Sequence, residues 1–341
     1  MAQRQPVLGL GLALGSSAAF ATSGAFAKPL LLGGWSPGAV VALRISIAAA
    51  VLLVPAVLSL RGRWTALRRN GPLVVGYGLT GVAGCQLAYF EAVSRLSVGV
   101  ALLLEYLAPV LIVGWLWVRH GHTPRRLTVA GVALALAGLA LVLDLTGGMR
   151  LSVGGVAWGL GAAIFLVLYF FITASVDDAL PPIALAGAGL VVGAGALWSA
   201  ALVGALDLRR GAATVEVGSS LVPWWMPVLV ISLVAAALAY VTGVAAVRLL
   251  GAKVSSFVAL TEVLFAVGFA WLVLAELPTP VQLAGGVLVV AGLVAVRADE
   301  ARGGPSSLEA AGQPTDEEDA AYAAELLPTG ALTPDPLPHD R

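Results

Sequence analysis

Six side chains carry the chemistry available to this 341-residue chain: Arg44, Gln86, Glu105, Tyr106, Pro109 and Glu262, all set in apolar surroundings. Glu105 and Pro109 belong to VGVALLLEYLAPVLIVGWLWV, Val98 to Val118, and Glu262 belongs to Val254 to Leu274. A carboxylate in such a run can bind an amino or other cationic group, or exchange a proton. Arg44 supplies a fixed positive charge, Gln86 and Tyr106 supply neutral hydrogen bonds, and Pro109 withholds a backbone donor so that a carbonyl is left free. A charged side chain at the centre of a membrane span costs about 2.5–3.5 kcal/mol, so it turns toward a cavity or a partner. Arg44 and Glu105 each lie seven residues inside the outer end of their spans, which puts both roughly 10 Å deep at ~1.5 Å per residue. Two readings follow: both line a cavity, or they form a closed pair that only fixes helix positions. Glu262 lies eight residues from the inner end of its span, at the mirror depth.

Other chemistries lack their residues. The chain has no Walker lysine motif, no His-Glu-x-x-His and no G-x-S-x-G elbow. One cysteine, Cys85, offers neither a disulfide nor a cysteine metal site, and His120, His122 and His339 read as interfacial or tail residues. No catalytic residue, metal or cofactor is expected, and no nucleic-acid partner.

The elements that position these groups follow from composition. With 59% hydrophobic and 11% charged residues, the chain reads as a polytopic membrane protein. Ten apolar runs are near the ~20 residues needed to cross the membrane as helices. They cover 7–27, 37–60, 72–93, 98–118, 127–143, 153–173, 183–206, 227–247, 254–274 and 281–297. Continuous apolar character, without period-two alternation, points to helices rather than a barrel. The first run has a rival reading as a signal peptide ending at Ala25-Phe26-Ala27. Residues 298–341, with ten acidic residues against Arg302 and Arg341 and six prolines, are expected to be a disordered acidic tail. Twelve Lys and Arg fall on the inner side and five on the outer if both termini are cytoplasmic, as the positive-inside rule prefers. Trp35, Trp158, Trp224, Trp225 and Trp271 fall near one interface and Trp64, Trp115 and Trp117 near the other, as an aromatic belt. Gly11/Gly15 and Gly189/Gly193 have GxxxG spacing suited to close helix contact.

The chain also repeats itself. An offset of 154 lays Ala92 to Val142 on Ala246 to Val296 with 15 identities in 51 ungapped pairs, among them Gly131/Gly285 and Gly138/Gly292. A five-span unit is odd, so the second copy enters the membrane inverted. RHGHTPRR after the fourth span holds three arginines, and AELPTP after the ninth holds none. Inverted repeats of this kind build secondary transporters with a midplane site between the halves. The expected fold is all-α and integral to the membrane: residues 1–145 and 146–297 as two inverted five-helix repeats, then the tail at 298–341.

PGAVVALR (Pro37 to Arg44), WGLGAAIFLVLYFFIT and the stretch from Arg248 through Glu262 to Glu276 together resemble an EamA-type permease of the drug/metabolite transporter superfamily. The resemblance covers about residues 7–297. It departs where the family often has Glu-Pro: the first copy has Ala108-Pro109 with Glu105 one turn earlier, and the second has Glu262-Val263. Within the repeat Glu262 aligns with Ala108, so the two acids are analogous in place and offset in register. The resemblance implies alternating-access efflux of a small metabolite, such as an amino acid or related compound, coupled to protons, from the cell membrane. One arginine and two deep carboxylates argue against a phosphorylated substrate, which demands more cationic lining. The alternative is a non-transporting scaffold that recruits a partner through its tail, or an intramembrane enzyme. Partners are then the solute, lipid and protons, and the sequence leaves oligomeric state open.

Overall fold

The structure, a computed structural model, describes residues 4–96, 98–120, 125–142, 152–274 and 280–303. Apolar helix dominates it. The first helix, α1 (Arg4–Leu32), ends at Gly33 and Gly34, and the latter takes φ +86°, which glycine tolerates without strain. Ser36 then caps α2 (Pro37–Ser59) by accepting from the Ala39 amide at 3.3 Å, with Pro37 in the first turn where its missing donor costs nothing. Short α3 (Trp64–Arg69) and α4 (Gly71–Gly76) lead into a π-helical stretch, Tyr77–Gly84, and on to α5 (Cys85–Arg95). Then come α6 (Val98–Glu105), α7 (Ala108–His120) and α8 (Arg126–Val142).

The second half opens with α9 (Val153–Ser175), capped by Ser152, and α10 (Pro182–Leu202). It continues through α11 (Trp225–Ser232), a π-helical stretch at Leu233–Leu238, α12 (Ala239–Ala259), α13 (Thr261–Leu274) and α14 (Pro280–Gly303). Six of the described helices are long and apolar enough to cross a membrane, and shorter apolar runs occupy Ala108–Val118, Arg126–Gly138 and Leu283–Val296.

Several boundaries differ from the sequence reading. The expected span at 98–118 is divided, with α6 ending at Glu105 and α7 beginning at Ala108. The expected spans at 227–247 and 254–274 are divided elsewhere: α12 carries a non-helical residue at Gly251 (φ 76°) and gives way to α13 beyond Leu260. Helix α14 runs six residues past the expected end, because Asp299 is buried and accepts a hydrogen bond from Thr128 on α8. A two-stranded antiparallel hairpin, β1 (Thr214–Val217) with β2 (Ser220–Pro223), was not expected. Val217 pairs with Ser220 and Gly218 turns at φ 62°. The tail from residue 304, the hairpin residue Glu276 and His122 lie outside the described residues.

Residues Met1–Asp299 form one unit. The sequence halves interleave within it: α1 packs on α12 and α13, α2 on α10, and α5 on α9. Small residues permit the close approaches. Gly189 on α10 faces the Tyr77 ring and Gly193 faces Val82, while Gly11 and Gly15 have open space, so only one of the two GxxxG pairs makes a helix contact. Gly131 on α8 meets Gly292 on α14, and Gly138 meets Gly285. The divided helices and the π-helical stretches end or turn around one interior space.

Candidate functional site

That space is a cavity lined by polar, charged and aromatic side chains. Its wall is built from both halves. Helix α1 contributes Ser16, Ser17, Phe20 and Ser23; α2 contributes Arg44; the first π-helical stretch and α5 contribute Gly81, Cys85, Gln86 and Tyr89. Glu105 and Tyr106 come from the break between α6 and α7. Opposite them stand Tyr169 and Phe170 of α9, Tyr240 of α12, and Glu262 in the first turn of α13.

Of the six residues singled out in the sequence, five line this cavity: Arg44, Gln86, Glu105, Tyr106 and Glu262. Pro109 does not. It is buried in the first turn of α7, where it starts the helix rather than bending one. The backbone stays hydrogen-bonded across the break: the Tyr106 amide donates to the Leu102 carbonyl at 2.8 Å and the Leu107 amide to the Leu104 carbonyl at 3.2 Å. Glu91 also stands apart, ion-paired with Arg95 at the periphery.

Arg44 is fully buried. Its Nη1 donates to the Ser23 hydroxyl at 2.9 Å and to the Gln86 side-chain oxygen at 2.6 Å; its Nη2 donates to the Ala235 carbonyl, and its guanidinium lies 5.7 Å from the centre of the Phe90 ring. Its Nε has no hydrogen-bond partner. Among the described residues no carboxylate stands within ion-pair distance of it, so the closed Arg44–Glu105 pair is not formed. Its acceptors are all neutral. Ala235 belongs to the second π-helical stretch, where the widened ladder turns a carbonyl toward a side chain.

The carboxylates likewise have neutral neighbours. Glu105 Oε1 accepts from the Cys85 thiol at 3.5 Å, and Glu262 stands within side-chain hydrogen-bonding reach of the Tyr106 hydroxyl. The latter contact crosses from one half to the other. Aromatic rings complete the wall: Tyr169 and Phe20 each meet Tyr240 edge-on, the latter at 5.3 Å, and Tyr77, outside the lining, packs against both tyrosines. The chemistry this allows is reversible binding. A fixed cation, two carboxylates with neutral neighbours, hydroxyls and aromatic rings surround one cavity.

The sequence reading missed Ser16, Ser17, Ser23, Cys85, Tyr89 and Phe170. Ser16 and Ser23 are two helical turns apart on one face, a spacing that could have marked them. Among the described residues no three His, Cys, Asp or Glu side chains converge as a metal site would require.

Comparisons with known proteins bear on this site. Residues 7–144 and 153–298 match the EamA-like transporter family. A protein of Streptantibioticus cattleyicolor described as a probable terminal-alkyne amino-acid exporter is 29% identical over 235 residues, which is 67% of this chain and 73% of that one. A solved structure, described only as the crystal structure of a protein, superposes with a TM-score of 0.65 at 23% identity, covering 89% of this chain and 99% of its own.

Proposed function

The chain belongs to the EamA-like transporter family and is a multi-pass membrane transporter, and from that premise we propose that it is a secondary active exporter of a small metabolite such as an amino acid or a related compound. Glu105 and Glu262, presented by opposite halves to one cavity, carry the reading. A solute ammonium binds between them. Because Cys85 and Tyr106 are neutral neighbours, each carboxyl can also hold a proton when the solute is absent, which couples export to proton uptake. The name of the Streptantibioticus relative supports an amino-acid class of solute.

Alternating access needs two halves that move against each other, and we assign them to residues 1–145 and 146–297, five spans each in inverted orientation. The 154-residue offset of the sequence carries the π-helical stretch Tyr77–Gly84 onto 231–238, which contains the second such stretch, and carries the break at 106–107 onto 260–261. The reciprocal contacts Gly131–Gly292 and Gly138–Gly285 pair each glycine with the repeat equivalent of the other, as a two-fold axis requires. The charge distribution supports cytoplasmic termini in a cell membrane.

Counterflow of radiolabelled amino acids into proteoliposomes tests the proposal. Glu105→Gln and Glu262→Gln are expected to abolish flux while the protein remains folded. Unimpaired flux in both would remove these residues from the mechanism. The scaffold alternative instead predicts no flux from the unaltered protein and a cellular function that is lost on deleting residues 298–341.

A further inference from the structure

An arginine that is wholly buried without an anion is an incomplete arrangement. Taking a guanidinium out of water is repaid only when its charge is paired and its donors are used. Arg44 has five N–H donors, and in this conformation Ser23, Gln86 and Ala235 use three of them. What remains is the Nε hydrogen, which has no partner, and one hydrogen of Nη2. Nε and Nη2 together form the planar fork that matches a carboxylate in bidentate fashion. Glu105 and Glu262 border the same cavity, but neither is within ion-pair distance of the fork among the described residues.

We infer that Arg44 reads the carboxylate of the transported solute, which therefore carries a free carboxylate as well as an amino group. This rests on the exporter reading above and narrows it. Glu105 and Glu262 account for the ammonium end of the solute and Arg44 for its acid end, so an amine without the acid leaves the fork empty. The inference also assigns a consequence to the Ala235 contact. Nη2 belongs to both the fork and the bond to Ala235, a carbonyl of the other half. A carboxylate on the Nε–Nη2 edge draws on the same nitrogen, so solute binding weakens a tie between the halves.

The test compares the twenty proteinogenic L-amino acids, each beside its α-carboxamide and its decarboxylated amine, as stabilisers of the full-length protein in detergent. A binder of the native state raises thermal stability in proportion to its affinity. Amino acids that bind are expected to do so at least about tenfold more tightly than their carboxamides and amines, the ~1.4 kcal/mol of one charge-assisted hydrogen bond. In Arg44→Gln that gap is expected to close. In Arg44→Lys, which keeps the charge and lacks the fork, it is expected to narrow only in part. Equal or tighter binding of carboxamides by the unaltered protein overturns the role of Arg44 and leaves amino-acid export standing. Binding by none of the three series overturns both. Because the unaltered protein alone gives the decisive comparison, failure of a variant to fold does not blunt the test.

Discussion

The carbonyls of Gly81 and Ala235 are 154 residues apart in the chain, and each accepts a hydrogen bond from a side chain of the opposite half. The Tyr240 hydroxyl donates to Gly81 at 3.1 Å, and Arg44 donates to Ala235. Both carbonyls belong to π-helical stretches, so the repeated backbone defect supplies the acceptor twice and two unrelated side chains use it. Tyr240→Phe keeps the ring against Phe20, Tyr77 and Tyr169 and removes only the hydroxyl. The expected cost is about 0.6 kcal/mol and no more than about 1.7, the average and the maximum for hydrogen bonds between membrane helices. Unfolding in mixed micelles measures it, and a cost near zero would mean that the Gly81 contact contributes no stability.

Cys85 is the one cysteine in the chain, and it faces the cavity beside Glu105. No cysteine-free background is therefore needed for a labelling experiment. A small membrane-permeant thiol reagent is expected to modify Cys85 slowly, to block transport by filling the space beside Glu105, and to be slowed by a transported amino acid. Mass spectrometry of the intact protein follows the modification. Labelling that leaves flux intact would place Cys85 off the solute path.

The crossing of α8 and α14 rests on glycines. A Cβ on Gly138 would meet the Gly285 carbonyl oxygen at 2.6 Å, and one on Gly292 would meet the Gly131 carbonyl oxygen at 2.5 Å. Neither neighbour is a flexible side chain. Gly138→Ala gains about 1 kcal/mol in helix propensity and loses about 1–3 kcal/mol to overpacking, so the clash should win. Gly195 on α10 has nothing within 4 Å of its would-be Cβ, so Gly195→Ala should be neutral or mildly stabilising. Melting temperatures of the two variants decide the comparison.

Hydropathy made the helices legible, because a lipid-facing helix must be apolar along its whole length. Intramembrane charge made Arg44, Glu105 and Glu262 legible, because its cost in lipid demands a reason. Hydropathy is blind to the rest. A π-helical ladder alters backbone register without altering apolar content, so Tyr77–Gly84 looks like any other span. The division at Glu105 to Ala108 had a signal in Pro109, which sits in the first turn of α7 where proline starts a helix. Arg44 found neutral partners instead of Glu105 because depth fixes only one coordinate, and the direction of a side chain around its helix depends on packing. The hairpin had a signal that was passed over: TVEV and SLVP flank a two-residue Gly-Ser turn.

Trp35 gives the last prediction. Its position near an interface suggests a lipid-facing anchor, yet only 5% of it is exposed. Its ring packs on Trp224 with centroids 4.9 Å apart, and its indole nitrogen donates to the Ala212 carbonyl at 3.1 Å. Ser36 next to it donates to the Asp207 carbonyl at 2.7 Å, so the α1–α2 corner is held to the segment that carries the hairpin. Trp35→Ala removes a buried ring and a hydrogen bond together, and should cost about 3–5 kcal/mol as buried Trp truncations do. Arg210→Ala removes only a guanidinium 5.3 Å from the Trp224 ring, worth about 0.5–1 kcal/mol at an exposed site. Limited proteolysis of the 203–224 segment separates the two: Trp35→Ala should expose it to cleavage, and Arg210→Ala should not. Equal protection in both variants would mean that the segment is held by its backbone hydrogen bonds, and that the tryptophan pair contributes little.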